Sequence, residues 1–219
     1  MKTESEKLFE HFCVTKSISC EKIEEKSSKR PDYWISIGDL KVVAEVKQIN
    51  PNKEDKAKYK EFKEKGFAVG DSPPGARVRG KITASAPQIS SLAKGKFPGL
   101  LVLYNTVPLA NLLDPYHIKV AMYGLDTVVI SRPASFEERP HVIERKSGPK
   151  RKLTKKHNTS ISAIAVLKNN QNGLSLDVYH NQHAAIPFAD GVFGELGCEQ
   201  YRIKDNGQYE FISWNPAKS

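Results

Sequence analysis

Two carboxylates and an ammonium along one short stretch, Asp32, Glu45 and Lys47, are the residues best suited to chemistry. They sit in two runs of alternating apolar and polar residues that meet at Gly38-Asp39, the pattern of two strands joined by a tight hairpin. With Gly38 and Asp39 as the central turn residues, Ile37 faces Leu40 and Asp32 faces Glu45. Directly opposed residues project to one face with Cβ atoms about 4.5 to 5.5 Å apart, and Lys47 joins them two residues further on. Two like charges this close repel unless a cation sits between them. A hard divalent cation is the simplest remedy. Mg2+, held by one or two carboxylates with waters completing an octahedron, is the expected ion, and Mn2+ is expected to substitute.

Several elements must position these residues. Residues 3–14 read as a helix, with Thr3 and Glu6 as a capping box and Leu8, Phe9, Phe12 and Cys13 as its apolar stripe. Glu6 flanks that buried face, whereas Glu10 and His11 point further toward solvent. A short strand over 17–23 and a charged turn over 24–30 lead to the hairpin, which ends at Ile49. Residues 50–65 mix six lysines with four acids and read as a solvated helix or a loop. Residues 66–75, with Gly70, Pro73, Pro74 and Gly75, form an irregular connection. Val78, Ile82, Ser85, Ile89 and Leu92 then repeat at helical spacing, and Pro87 is expected to kink or split that helix. The apolar run over 100–105 is a buried central strand. A short helix over 115–124, a strand over 126–131, strands over 161–167 and 174–179 about Asn172-Gly173, and a hairpin over 201–203 and 209–214 about Asn206-Gly207 complete the chain. No internal repeat is present.

The 219 residues suit one domain, and 34 Lys and Arg against 25 Asp and Glu give a net charge of +9, which favours a polyanionic partner. Eight of the basic residues fall between 139 and 157 against Glu144 alone, a local net of +7. Lys150, Arg151, Lys152, Lys155 and Lys156 in that stretch, with Arg77, Arg79 and Lys81 at the start of the long helix, are the candidate phosphate contacts. The competing reading of the stretch is a solubilising loop. Three cysteines without a CxxC pair suggest neither a disulfide framework nor a Cys-rich zinc site. His180 and His183 form an HxxH with no third ligand near, and His11, His117, His141 and His157 give no triad. Tyr179, His180 and Asn181 end a strand and are candidates for lining a nucleic-acid cleft. The polar N-terminus and the lack of a long apolar run predict a soluble cytoplasmic protein with no membrane contact.

The tripeptide Glu45-Val46-Lys47 carries little information alone, because Glu24-Glu25-Lys26, Glu54-Asp55-Lys56, Glu61-Phe62-Lys63 and Glu144-Arg145-Lys146 share its form. Only Glu45 and Lys47 lie within a strongly apolar strand with a Pro-Asp a hairpin's length upstream. Pro31-Asp32 followed by Glu45-Val46-Lys47 resembles the signature of the PD-(D/E)XK nuclease superfamily, and the order of elements over residues 3–105 agrees with it. The resemblance implies an α/β, restriction-endonuclease-like mixed central sheet flanked by helices, here with a C-terminal β extension. Residues 1–131 would be the nuclease core, 132–158 a basic loop and 159–219 the extension of the same domain. Asp32, Glu45 and the carbonyl of Val46 would hold the metal, and Lys47 would orient and help deprotonate the attacking water. Glu6 would contact the metal or its waters, and Gln88 matches the glutamine of some branches. The implied activity is Mg2+-dependent hydrolysis of phosphodiester bonds, as a DNA endonuclease of restriction, defence or repair type. The alternatives are a nucleic-acid-binding module that keeps the fold without cutting, and an interaction protein whose carboxylates pair with Lys47 and Arg30. Assembly as a homodimer stays open.

Overall fold

Alternation in the hairpin separates two faces of a sheet. Tyr33, Ile35, Val42, Ala44 and Val46 enter one apolar cluster with Phe9, Phe12 and Cys13, while Val43 and Ile49 enter a second with Val78, Ile82, Ile89, Ile118 and Met122. The protein is therefore layered, helices on both faces of a sheet, in a computed structural model that describes residues 2–24, 30–70, 73–133, 135, 139–205 and 209–214.

The sheet has eight strands: β1 (Ser19–Lys22), β2 (Tyr33–Ile37), β3 (Leu40–Ile49), β4 (Gly99–Asn105), β7 (Ala163–Asn170), β8 (Gly173–His180), β9 (Glu199–Asp205) and β10 (Tyr209–Ser213), in that spatial order. β3, β4 and β7 run parallel at its centre, with antiparallel β1 and β2 on one side and β8 antiparallel to β7 on the other. The architecture is mixed α/β. The C-terminal strands continue the sheet, since β7 lies directly against β4. β3 is buried over residues 42–46 and at Ile49, and β4 over residues 99–103, because both faces of the sheet are covered there, which accounts for the apolar run of β4.

Of the helices, α1 (Glu4–Thr15) has the expected capping box between Thr3 and Glu6 and buries Phe9 and Phe12. Each of those rings contributes roughly 1.5 to 3 kcal/mol relative to an exposed position. α2 (Lys53–Lys65) is capped by Asn52 and Asp55, ends at Gly66 and buries none of its residues. It is thus a solvated helix. α3 (Ala76–Ala93) and α4 (Pro115–Tyr123) cover the opposite face from α1. Pro87 does not split α3, which stays one helix. Thr83, Ala84 and Pro87 are exposed, so the carbonyl deprived of its partner lies on the solvent side.

The stretch over 132–158 contains regular structure that its charges conceal. β5 (Asp126–Ile130) and β6 (Val142–Ser147) pair as an antiparallel ribbon outside the main sheet, with a register shift between Val129 and Ile130. Beyond it the chain is pinned: Leu153 is fully buried, Leu153 N–H donates to Met122 O at 2.9 Å, and Asn158 Nδ2 donates to Lys152 O at 2.8 Å. The segment carrying Lys150 and Lys152 is accordingly a fixed part of the surface. The expected turn at Asn206-Gly207 and residues 25–29 lie outside the described residues. Among the described residues, no helix is long and apolar enough to cross a membrane.

Candidate active site

The hairpin register is the one read from the turn, with Ile37 opposite Leu40 and Tyr33 opposite Ala44. Gly38 alone of the two turn residues has positive φ, 56°, as a type II′ turn requires at its first central position. One step beyond Tyr33, the two carboxylates are locked together through the backbone. Asp32 N–H donates to Glu45 Oε2 at 3.0 Å, and Val46 N–H donates to Asp32 Oδ2 at 2.8 Å.

Glu45 is fully buried, and its Oε1 is ion-paired with the Lys47 ammonium. Burial, and then the charge of Asp32, push the Glu45 carboxyl up to about 7, against the opposing pull of Lys47. Burial also raises Asp32, with the Val46 N–H and Lys47 opposing. At neutral pH the Glu45 carboxyl is therefore near its midpoint, and a cation bound beside it would displace a proton to solvent.

Asp32 and Lys47 open onto a cleft of about 810 Å³ lined also by Glu6, Lys22, Val46 and Lys81 among others, while Glu45 lies behind them and is absent from the lining. Among the described residues no group of three or more His, Cys, Asp and Glu side chains is arranged to hold a metal. The protein's share is two carboxylates and, if used, the Val46 carbonyl. Asp32 on the cleft wall with Glu45 behind it is an oxygen-only set of the kind that Mg2+ takes, one or two carboxylates with several waters kept. It does not fit zinc, for which histidine and cysteine ligands are absent from the lining.

Glu6 stands on the rim with both oxygens engaged. Lys22 Nζ lies 2.6 Å from Oε1, while Thr3 N–H and Oγ1 donate to Oε2 at 2.7 and 2.8 Å. Burial opposes its ionisation, yet Lys22 and Thr3 outweigh burial and hold the carboxyl down at about 2. Direct service to a metal would require Glu6 to give up the cap or the ion pair. Gln88 is absent from the cleft lining and donates from Nε2 to Arg30 O at 3.1 Å, which tethers the chain just ahead of Asp32.

The basic candidates separate into four groups. Lys81 lines the cleft, and its ammonium is pulled down by burial and then by Lys47 and Arg77. Arg77 is committed to the protein: it pairs with Asp55 at 3.0 Å and donates to Asn50 O at 2.5 Å, tying α2 and the end of β3 to α3. Arg79, Lys150 and Lys152 line a separate groove, whereas Arg151, Lys155 and Lys156 line neither. Tyr179, His180 and Asn181 do not line the cleft. Tyr179 stacks on Tyr201 with centroids 4.7 Å apart, His180 Nε2 lies 2.9 Å from Gln200 Oε1, and Asn181 Nδ2 donates to Ile161 O at 2.7 Å, all of them buried.

Sequence reasoning missed Lys22. It sits opposite Tyr33 in the β1–β2 pairing, beside Asp32, so its place depends on a register that no turn signal announces. Gln48, which also lines the cleft, accepts from Ser5 N–H at 3.1 Å and joins α1 to β3. Comparison of the chain with protein-family models, with curated proteins and with solved structures finds no match to any of them.

Proposed function

We propose that this chain is a Mg2+-dependent nuclease of the PD-(D/E)XK kind, with a restriction-endonuclease-like core, that hydrolyses phosphodiester bonds in DNA. The observation that carries the reading is the pairing of Asp32, on the wall of an open cleft, with the buried carboxylate of Glu45 behind it, and of Glu45 with Lys47. A buried pair of like charges costs several kcal/mol unless a cation compensates it. Function is the natural reason for keeping it.

Each residue then has a task. Asp32 and Glu45 hold the cation, and the hairpin sets their spacing. Bound Mg2+ polarises the phosphate and lowers the pKa of its water. The Lys47 ammonium, next to Glu45, orients the attacking water and offsets the charge developing on phosphorus. The attacking water gives up a proton to solvent as it bonds to phosphorus, the opposite P–O bond breaks, and the leaving oxygen takes a proton from solvent. Lys81 adds positive potential on the facing wall, and Gln88 restrains the loop that delivers Asp32.

Purified protein incubated with plasmid, linear duplex, single-stranded DNA and RNA, each with Mg2+, Mn2+ or EDTA, tests the reading. Cleavage of DNA that needs metal and is lost in Asp32→Asn is expected. Binding without any metal-dependent product would make the chain a non-cleaving nucleic-acid module instead.

A further inference from the structure

The groove beside α3 is separate from the cleft and has a composition of its own. It is lined by Arg79, Gly80, Thr83 and Ala84 of α3 and by Lys150 and Lys152, over an open volume of about 520 Å³. None of the three cations pairs with a carboxylate among the described residues: Arg79 donates only to Pro74 O at 2.9 Å, and neither lysine side chain has a partner. Buried Leu153 and the bond from Asn158 to Lys152 O anchor the backbone of the lysine segment beside α3. Unneutralised cations gathered on one surface attract anions.

The exposed face of α3 beside it is bare. Gly80, Thr83, Ala84 and Pro87 recur at steps of three and four, are all exposed and bear no long side chain. A Cβ added at Gly80 would meet nothing within 4 Å. On one flank of this bare stripe stands Lys81, which belongs to the cleft; on the other stand Arg79, Lys150 and Lys152. Arg77, Arg79 and Lys81 also occupy the N-terminal part of α3, whose first turn has no acidic residue and whose N-cap, Gly75, offers no side chain. The helix dipole disfavours cations there, and a polyanion relieves that cost.

An α-helix with side chains is about 10 to 12 Å across, and the major groove of B-DNA is about 12 Å wide. We propose that α3 lays its bare stripe into the major groove of duplex DNA, with Arg79, Lys150 and Lys152 gripping phosphates of one strand and Lys81 those of the strand that enters the cleft. The proposal rests on the nuclease reading and names its substrate class. Few groups on the stripe can read base edges, so docking depends on duplex shape and charge and discriminates weakly between sequences. Duplex RNA is excluded by the same logic, because its major groove is too narrow and deep.

Binding by the wild-type protein in EDTA, so that nothing is cut, tests this against a duplex DNA of about 16 bp, roughly one and a half turns, its separate strands, and duplex RNA of the same sequence. Duplex DNA is expected to bind at least about tenfold more tightly than the other two. Arg79→Ala with Lys150→Ala and Lys152→Ala should flatten the slope of log affinity against log salt by about 2 to 3, at about 0.9 per phosphate contact. The charge-matched triple Arg151→Ala, Lys155→Ala and Lys156→Ala should flatten it by less than about 1. Ala84→Glu should weaken duplex binding about tenfold or more, and Thr83→Glu on the same stripe repeats the test if Ala84→Glu fails to fold. Equal affinity for single strands or duplex RNA, equal slopes for the two triples, or a neutral Glu on the stripe overturns the proposal. Duplex preference with the predicted slopes but no metal-dependent cleavage sustains the docking surface and removes the nuclease reading. Cleavage with unchanged slopes does the reverse.

Discussion

Two antiparallel hairpins in this molecule carry charges between branched apolar residues, and they end in opposite circumstances. The β2–β3 hairpin is built into the eight-stranded sheet with helices on both faces, so Glu45 is fully buried and its register is unbroken as far as Tyr33 opposite Ala44. The β5–β6 ribbon stands outside that sheet, its register shifts at Val129, and Val128, Ile130, Val142 and Ile143 are exposed. A charged residue in the ribbon keeps its water. In the buried hairpin, the same residue type must find a proton, an ammonium or a metal. Burial turns a common tripeptide into a candidate site.

The largest expected effect separates the hairpins by activity. Asp32→Asn or Lys47→Ala should reduce Mg2+-dependent DNA cleavage by about 10³-fold while the circular dichroism spectrum is unchanged. Undiminished cleavage in either variant would remove the buried pair from the chemistry.

The second effect is in pH dependence. The Glu45 carboxyl titrates near 7 in the folded protein, above its ordinary value of 4.5. Its ionised form is therefore disfavoured by folding. The metal-free protein should lose stability as pH rises from about 4.5 to 7, by up to about 3 kcal/mol from this group. Glu45→Gln should abolish that loss. Mg2+ should raise the Tm of the wild type above pH 7 and release protons below it, and should do neither for Glu45→Gln. A wild-type Tm insensitive to Mg2+ at pH 8 would argue that no cation fills the pair.

A third test concerns packing. Val43→Ala in β3 should cost about 2 kcal/mol or more, since Val43 is fully buried, whereas Val128→Ala in the ribbon should stay within about 0.5 kcal/mol. Denaturant unfolding measures both, and equal costs would mean that the ribbon is covered in solution.

The smallest effect lies at the cleft rim. Glu6 is held near 2, below its ordinary 4.5, so its contribution is present above about pH 4.5 and lost as pH falls toward 2. Lys22→Met should weaken that contribution by less than about 1 kcal/mol, because the Lys22 side chain is 42 % exposed and solvent screens the pair. Acid unfolding of the variant should begin at higher pH. No shift in its onset would assign the anchoring of Glu6 to Thr3 alone.

Legibility in the sequence followed how local the determinants are. The capping box at Thr3 and Glu6, the turn at Gly38 and the apolar run of β4 each depend on a few adjacent residues, and each forms as expected. The register that joins Asp32 to Glu45 follows from one two-residue turn. β6 was hidden because alternation in an exposed strand does not require apolar residues at every second position. Gln88, Arg77 and Arg79 share one helix and could be named from sequence, but their partners, Arg30 O, Asp55 and Pro74 O, belong to other segments. Sequence spacing alone does not tell a structural cation from a free one.

By itself, the sequence determined the elements of the core, the order in which they follow and the juxtaposition of Asp32, Glu45 and Lys47, because caps, turns and side-chain periodicity act over a few residues. The tertiary structure decided the rest: that Glu45 is buried, that Glu6 is tied to Lys22, and that Arg79 joins Lys150 and Lys152 beside a bare face of α3. Burial and electrostatic pairing depend on residues brought together from distant parts of the chain, and only packing of the helices against the sheet sets which of them meet.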